Sequence, residues 1–209
     1  MPVFERVREV ACSAQDLFAF HAVPAALARL TPPFEKAVVI VPLLALKNGA
    51  RAELQVSIGP VSTRWSAVHH DVKEGSDGGV AGFVDVMERG PCRDWGHEHC
   101  FEPLPSSTTG PRCPLTDRIK WTGPALGAGD SFVGVRLKRL FRHRHDTTQK
   151  DAEPRAALAS MIPKGQRLRP GKTGSHGPIG AELRSLLSVT GHEVVPFLRG
   201  RDDVEGAVG

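Results

Sequence analysis

The 209-residue chain contains no tyrosine, so no step of any chemistry in it can rest on a phenolic hydroxyl. It also lacks a hydrophobic run of the roughly 20 residues that a helix needs to cross a bilayer. The longest candidate, Ala37 to Leu46, is too short and carries Pro42. The N-terminal MPVFERVREV has acidic residues and no apolar stretch of the signal-peptide kind, which sets the expectation of a cytoplasmic protein without a membrane span. The four cysteines, Cys12, Cys92, Cys100 and Cys113, form no Cys-x-x-Cys pair. Without a secretory signal they are expected as reduced thiols in or near the core, not as a disulfide framework. No spacing supports a Ser-His-Asp or Cys-His nucleophile arrangement.

What is present is the composition of a globular protein: 40% hydrophobic and 24% charged residues, in a length that fits one domain plus something smaller, or one large domain. The net charge of +4 is concentrated in RLKRLFRHRH, which holds Arg136, Lys138, Arg139, Arg142 and Arg144. Such a run can contact phosphates or anionic lipid. Within it, however, Val133, Leu137, Leu140 and Phe141 recur at helical spacing, so the basic residues are expected on a solvated face opposite a core-facing stripe. No aromatic residue is interleaved on the charged side to stack bases, and no nucleic-acid partner is expected.

Along the chain, Val3 to Val10 reads as a strand. Ser13 with Asp16 three residues on reads as a capping box that opens a helix, and Pro24 divides it from a second short helix over Ala25 to Leu30. Strands then follow one another: Lys36 to Val41, Ala50 to Ile58, Val61 to His70, Gly82 to Glu88, Asp94 to Glu102 and Leu115 to Thr122. The third of these seven strands alternates cleanly, with Ala52, Leu54, Val56 and Ile58 on one face. Most of the joining turns are of hairpin length, which predicts an antiparallel sheet. A long amphipathic helix, from about Asp130 to before Pro154, is the only element long enough to cover its apolar face.

This order, together with LTPPFEKAVVI, RWSAVHHDV, FVDVMERGPCRDWGHEHCFEP, LTDRIKWTGP and LKRLFRHRHDTTQKD, resembles the START/polyketide-cyclase (SRPBCC) superfamily over about Val3 to Asp151. The similarity is to the branch found alone or fused ahead of an extended short-chain dehydrogenase-like domain. Gly-Pro-x-x-x-Trp-x-His-x-His-x-Phe, in Gly90 to Phe101, is its most specific part. The resemblance implies an α+β helix-grip fold: a curved antiparallel sheet of six or seven strands wrapped on a long C-terminal helix. Between them it implies an apolar cavity for a hydrophobic or amphipathic small molecule, in which some members carry out cyclisation or dehydration.

Trp95, His97, His99 and Phe101 share one face of one strand and are the expected wall of that cavity. Trp65, Phe83, Asp85, Asp117 and Trp121 on neighbouring strands are further candidates. His97-x-His99 also has the spacing of two zinc ligands, with Asp85 or His69 able to approach across the sheet. The reading adopted is a hydrogen-bonded histidine pair without metal. Acid–base work by a histidine with Asp117 or Asp85 is the catalytic alternative.

Near the C-terminus, TGSHGPIG places Gly174, Gly177 and Gly180 at Gly-x-x-Gly-x-x-Gly spacing. AELRSLLS then reads as a helix and EVVPFLRG as a strand, the back half of a βαβ unit. Residues 171–201 resemble the nucleotide-binding start of an extended short-chain dehydrogenase. Arg199, with Arg201, stands where an acid would hold the ribose of NAD, a substitution that suits NADP. The polar run before the loop, with Pro170, departs from the buried strand that such a loop follows. The Tyr-x-x-x-Lys of that family cannot occur in a chain without tyrosine. The expected layout is therefore a ligand-binding domain at 1–152, a linker at 153–170 and a truncated, vestigial Rossmann-like segment at 171–209. No cofactor is expected unless the missing part of that domain is supplied. The expected function is non-catalytic binding of a small molecule, with a fragment of an NAD(P)-dependent epimerase or reductase fusion, or cavity-based cyclase chemistry, as alternatives. Oligomeric state is left open.

Overall fold

A computed structural model describes residues 1–58, 60–105, 110–124 and 129–161, with 169, 171–173, 180, 183, 186–187, 193 and 195–197. Strand β1 (Val3–Val10) leads into α1 (Ala14–His21) and α2 (Ala26–Leu30). Five strands follow, β2 (Ala37–Val41), β3 (Arg51–Ile58), β4 (Val61–Lys73), β5 (Ala81–Arg89) and β6 (Cys92–Phe101), then β7 (Cys113–Pro124) and the long α3 (Asp130–Met161). The capping box is formed as expected: the Asp16 amide donates to Ser13 Oγ at 3.1 Å, and the Ser13 amide donates to the Asp16 carboxylate at 3.2 Å. Ser13→Ala is expected to lower the unfolding free energy by about 1 kcal/mol, read from denaturant unfolding.

The seven strands form one antiparallel sheet in the order β1-β7-β6-β5-β4-β3-β2. The alternation read in β3 has a physical outcome: Ala52 and Val56 are buried and face inward. Gly82 sets how closely β5 approaches β6, because a Cβ there would overlap the His99 carbonyl oxygen. Two apolar clusters fill the concave side. One joins Leu17, Phe20 and Leu30 of α1 and α2 to Phe83, Phe101 and Leu115 of the sheet. The other joins Phe4, Ile119 and Trp121 to Leu137 and Phe141 of α3.

Polar contacts pin the C-terminal part of α3. Arg29 of α2 forms a forked pair with buried Asp151 at 2.7 and 3.1 Å, and Arg8 of β1 meets Asp146 at 2.5 Å. The helix does not stop before Pro154. It runs to Met161 and takes up the first residues of the stretch read as linker. Proline forfeits one amide donor there, and the preceding turns are already held by these contacts.

The expected solvent face of α3 is also corrected. Lys138, Arg139 and Arg142 are exposed, but Arg136 and Arg144 are not. Arg136 turns to Glu35 in an ion pair, and Arg144 lies seven residues after Leu137, two turns along the same core-facing stripe. Among the described residues, no helix is long and apolar enough to cross a membrane.

In the tail, β8 (Gly171–Thr173) pairs in parallel with β9 (Val195–Phe197), and residues 180, 183, 186 and 187 are helical. A strand three residues long thus precedes the glycine loop, and Gly171 in it is exposed, unlike the buried strand that such a loop ordinarily follows. Gly180 is buried at the start of the helical residues. Gly174, Gly177 and Arg199 lie outside the described residues.

Candidate functional site

Strand register assembles the site. His69 of β4 pairs with Asp85 of β5, which pairs with His97 of β6. One step along the same face, Phe83 pairs with His99, which pairs with Asp117 of β7. Because side chains alternate along a strand, these two rows stand side by side on the concave face. Helices supply the rest from above: His21 from α1, and Phe141, Arg144 and His145 from α3.

Asp117 is the hub. Its side chain is 4% exposed. His97 Nε2–H donates to Oδ1 at 2.6 Å, and His145 Nε2–H donates to Oδ2 at 2.6 Å. His99 Nδ1 is also 2.9 Å from Oδ1, off the line of a hydrogen bond. Asp85 is the second carboxylate. Its Oδ1 lies 2.9 Å from His69 Nε2, and its Oδ2 lies 3.3 Å from His99 Nε2 and 3.6 Å from His97 Nδ1. His69 Nδ1–H donates to the Ala50 carbonyl at 3.0 Å.

Burial opposes ionisation of both aspartates, but the surrounding imidazoles outweigh it and hold both carboxyls well below the usual range. For His99 burial favours the neutral ring, yet Asp117 and Asp85 together push its pKa up to about 9. His69 is raised in the same way, its carboxylate partner outweighing burial. His21 has no such partner: burial, reinforced by His99, lowers it to about 3. It stays a neutral ring whose Nδ1–H donates to the Leu17 carbonyl at 2.7 Å. Burial also lowers Arg144, against the pull of Asp117 and Asp85.

Between this polar floor, the sheet and α3 lies a cavity of about 340 Å³. That is the lower part of the range of small-molecule sites, about 300–1,000 Å³. Its walls are chiefly apolar, with Leu27, Leu30, Leu54 and Val56 on one side and Val133, Leu137 and Leu140 on the other. His69, Asp85, His97, His99, Arg136 and Arg144 are the polar groups that converge on it.

Of the sequence candidates, Trp65, Phe83, Asp85, Trp95, His97 and His99 border the cavity. Trp65 and Trp95 meet edge to face, with ring centroids 4.8 Å apart. The other three do not border it. Phe101 is fully buried in the cluster beneath α1. Asp117 lies behind the histidines, at a much smaller void beside His145. Trp121 packs under α3, where its Nε1–H donates to Asp130 at 3.0 Å. Shared parity places a side chain on a face, and the cavity occupies only part of that face. Sequence reasoning missed His21, His145 and Arg144. The signal for the last two was the helical spacing of Leu137, Phe141, Arg144 and His145.

No family profile matches the chain, and no curated protein matches it. Solved structures do. A nucleoside-diphosphate sugar epimerase from Corynebacterium glutamicum is 24% identical with a TM-score of 0.68, over 94% of this chain and 39% of its own. The chain thus spans about two fifths of that relative's length. A protein from Chromobacterium violaceum is 12% identical, TM-score 0.51, over 73% of this chain and 97% of its own. The protein Ara h 8.0201 is 9% identical, TM-score 0.50, over 72% and 97%. These likenesses establish the fold: a curved antiparallel sheet wrapped on a long C-terminal helix, the helix-grip arrangement that the sequence resemblance implies.

Proposed function

We propose that the domain binds one amphipathic small molecule in the cavity between the sheet and α3. The apolar part lies among the leucines and valines of the two walls, and an oxygen-bearing polar end lies toward His97, His99 and Arg144. The observation that carries this reading is the apolar space between sheet and helix ending in a small set of converging polar groups, the usual composition of a ligand site. Arg144 supports the polarity assigned to the ligand. Its Nε is buried without a partner, its guanidinium stands 5.3 Å from the Phe141 ring, and an acceptor on the ligand would satisfy it.

The absence of tyrosine gives a clean test, because the emission of the chain comes from Trp65, Trp95 and Trp121 alone. Two of these border the cavity and the third does not. Titration with fatty acids and aromatic polyketide-like acids is expected to change tryptophan emission saturably. Trp121→Phe is expected to keep that change and the double variant Trp65→Phe/Trp95→Phe to abolish it. His99→Ala is expected to weaken binding by about 1–3 kcal/mol through loss of a buried hydrogen bond. Native mass spectrometry of gently purified protein identifies any co-purifying ligand. A response that survives in the Trp65/Trp95 double variant rejects the site.

A second reading rests on the same floor. His99, held as an imidazolium between two carboxylates, is placed to act as a general acid toward a cavity-bound carbonyl. The likeness to part of an epimerase and the short parallel pair near the C-terminus favour a third: a domain that works alongside a nucleotide-binding partner. Turnover of a bound polyketide-like acid, absent in His99→Gln, would favour the second.

A further inference from the structure

Two of the three histidine contacts of Asp85 are long for hydrogen bonds, while His69 Nε2 lies at an ordinary 2.9 Å from Oδ1. A charged N–H···O⁻ bond runs about 2.7–2.9 Å, yet Asp85 Oδ2 stands 3.3 Å from His99 Nε2 and 3.6 Å from His97 Nδ1. Ligand atoms bonded at about 2.0–2.2 Å to one tetrahedral ion lie about 3.4 Å from each other. The two separations from Asp85 therefore match those of a coordination shell, and one ligand atom from each of Asp85, His97 and His99 lies within 4.8 Å of the other two.

Tautomers point the same way. His97 gives its Nε2–H to Asp117 at 2.6 Å. A neutral ring that donates through Nε2 carries a lone pair on Nδ1, the atom that faces Asp85. His99 turns Nδ1 toward the same carboxylate, 2.9 Å from Oδ1 though off the line of a hydrogen bond, and presents Nε2 to Asp85. One carboxylate thus backs both rings, the outer-shell arrangement that orients metal-binding histidines. A further sign is that Asp85 Oδ1 is buried without an aligned donor.

We propose that Asp85, His97 and His99 bind one divalent transition-metal ion at the floor of the cavity. Two imidazoles and one carboxylate suit ions of the zinc, cobalt and iron group. All three residues border the cavity, so the remaining coordination position faces it, open to an oxygen donor on a bound molecule. Asp117 is a positioning residue that acts through both histidines. The inference shares the cavity of the ligand-binding reading, but its test uses no organic ligand.

The full chain, stripped with a chelator and dialysed, is titrated with Co²⁺ and followed by its visible d–d absorption, then by displacement with Zn²⁺ and elemental analysis. One equivalent is expected. His97→Ala and His99→Ala are expected to abolish the bands. Asp117→Asn is expected to keep one equivalent and to weaken affinity by about 10–100-fold. Circular dichroism checks the fold of each variant, and the titration of the unaltered chain decides the matter even if a variant does not fold. No Co²⁺ or Zn²⁺ uptake by the unaltered, folded chain overturns the proposal, as does an undiminished equivalent in folded His97→Ala or His99→Ala. Either result leaves the tryptophan response to fatty acids standing, so the two readings fail separately.

Discussion

Replacing Asp117 by alanine is expected to lower the unfolding free energy by about 3–5 kcal/mol, the cost of removing one partner from a buried ionic network. The carboxylate is nearly inaccessible and accepts from His97 and His145 at 2.6 Å each, with His99 Nδ1 another 2.9 Å away. Its removal strands three imidazoles in a region with little water, each left with a polar atom to satisfy. Asp117→Asn keeps the shape and one acceptor oxygen, so its cost should be smaller, about 1–3 kcal/mol. The comparison that isolates burial is Arg51→Ala. Arg51 makes a forked pair with Glu88 at 2.9 and 2.6 Å, better geometry than most, but the two side chains are 59% and 43% exposed. Solvent screening leaves such a pair about 0–1 kcal/mol. Urea unfolding of the three variants at one pH checks the order. A loss for Asp117→Ala no larger than for Arg51→Ala would mean that the histidines find water or other partners, and that the floor of the cavity is not a closed network.

That network shows how far the sequence could be read. Strands such as β3 were legible because one face is more deeply buried than the other, although β2 has no fully buried residue. In β3 the period of two puts Ala52, Leu54 and Val56 on one side without reference to any partner. The start of α1 was legible because a Ser with an Asp three residues on satisfies amides locally. The site was legible only in part. His97 and His99 share a face by parity alone, and Asp85 and Asp117 could be named as neighbours. Their roles depend on register, which sets His69, Asp85 and His97 in one row and Phe83, His99 and Asp117 in the next. Register comes from the closure of the whole sheet. Arg136 and Arg144 were assigned to solvent because their charge was weighed above their spacing, and His145 was not singled out. The spacing was the better guide, since a helix that closes a polar cavity must turn some polar side chains inward. Pro154 misled for a related reason: a local breaker was weighed without the tertiary contacts at Asp146 and Asp151 that hold the helix just before it.

Phe141→Ala is expected to cost about 3–5 kcal/mol and to change what the cavity holds. The ring is 1% exposed. It stands edge-on to His97 with centroids 5.1 Å apart, and is tilted against Phe4 at 5.5 Å. With His21, Leu30, His99 and Arg144 it borders both the main cavity and the small void beside Asp117 and His145, so it forms part of the partition between them. Truncation removes the apolar contacts and joins the two spaces, which lets water reach the Asp117 pairs that the ring now shields. Phe141→Leu keeps most of the volume and should cost less than about 1.5 kcal/mol. Phe132→Ala is the control for lining without burial. Phe132 also borders the cavity but is 53% exposed, and a surface truncation of this kind should stay within about 0.5 kcal/mol. If ligand affinity follows the partition, Phe141→Ala loses small ligands and tolerates bulkier ones, whereas Phe132→Ala changes affinity with little change in stability. Thermal unfolding with and without ligand separates the two effects. Equal destabilisation by Phe132→Ala and Phe141→Ala would show that the helix is held by its rim and its Arg29–Asp151 and Arg8–Asp146 contacts, and that the ring does not divide the cavity from the carboxylate beneath it.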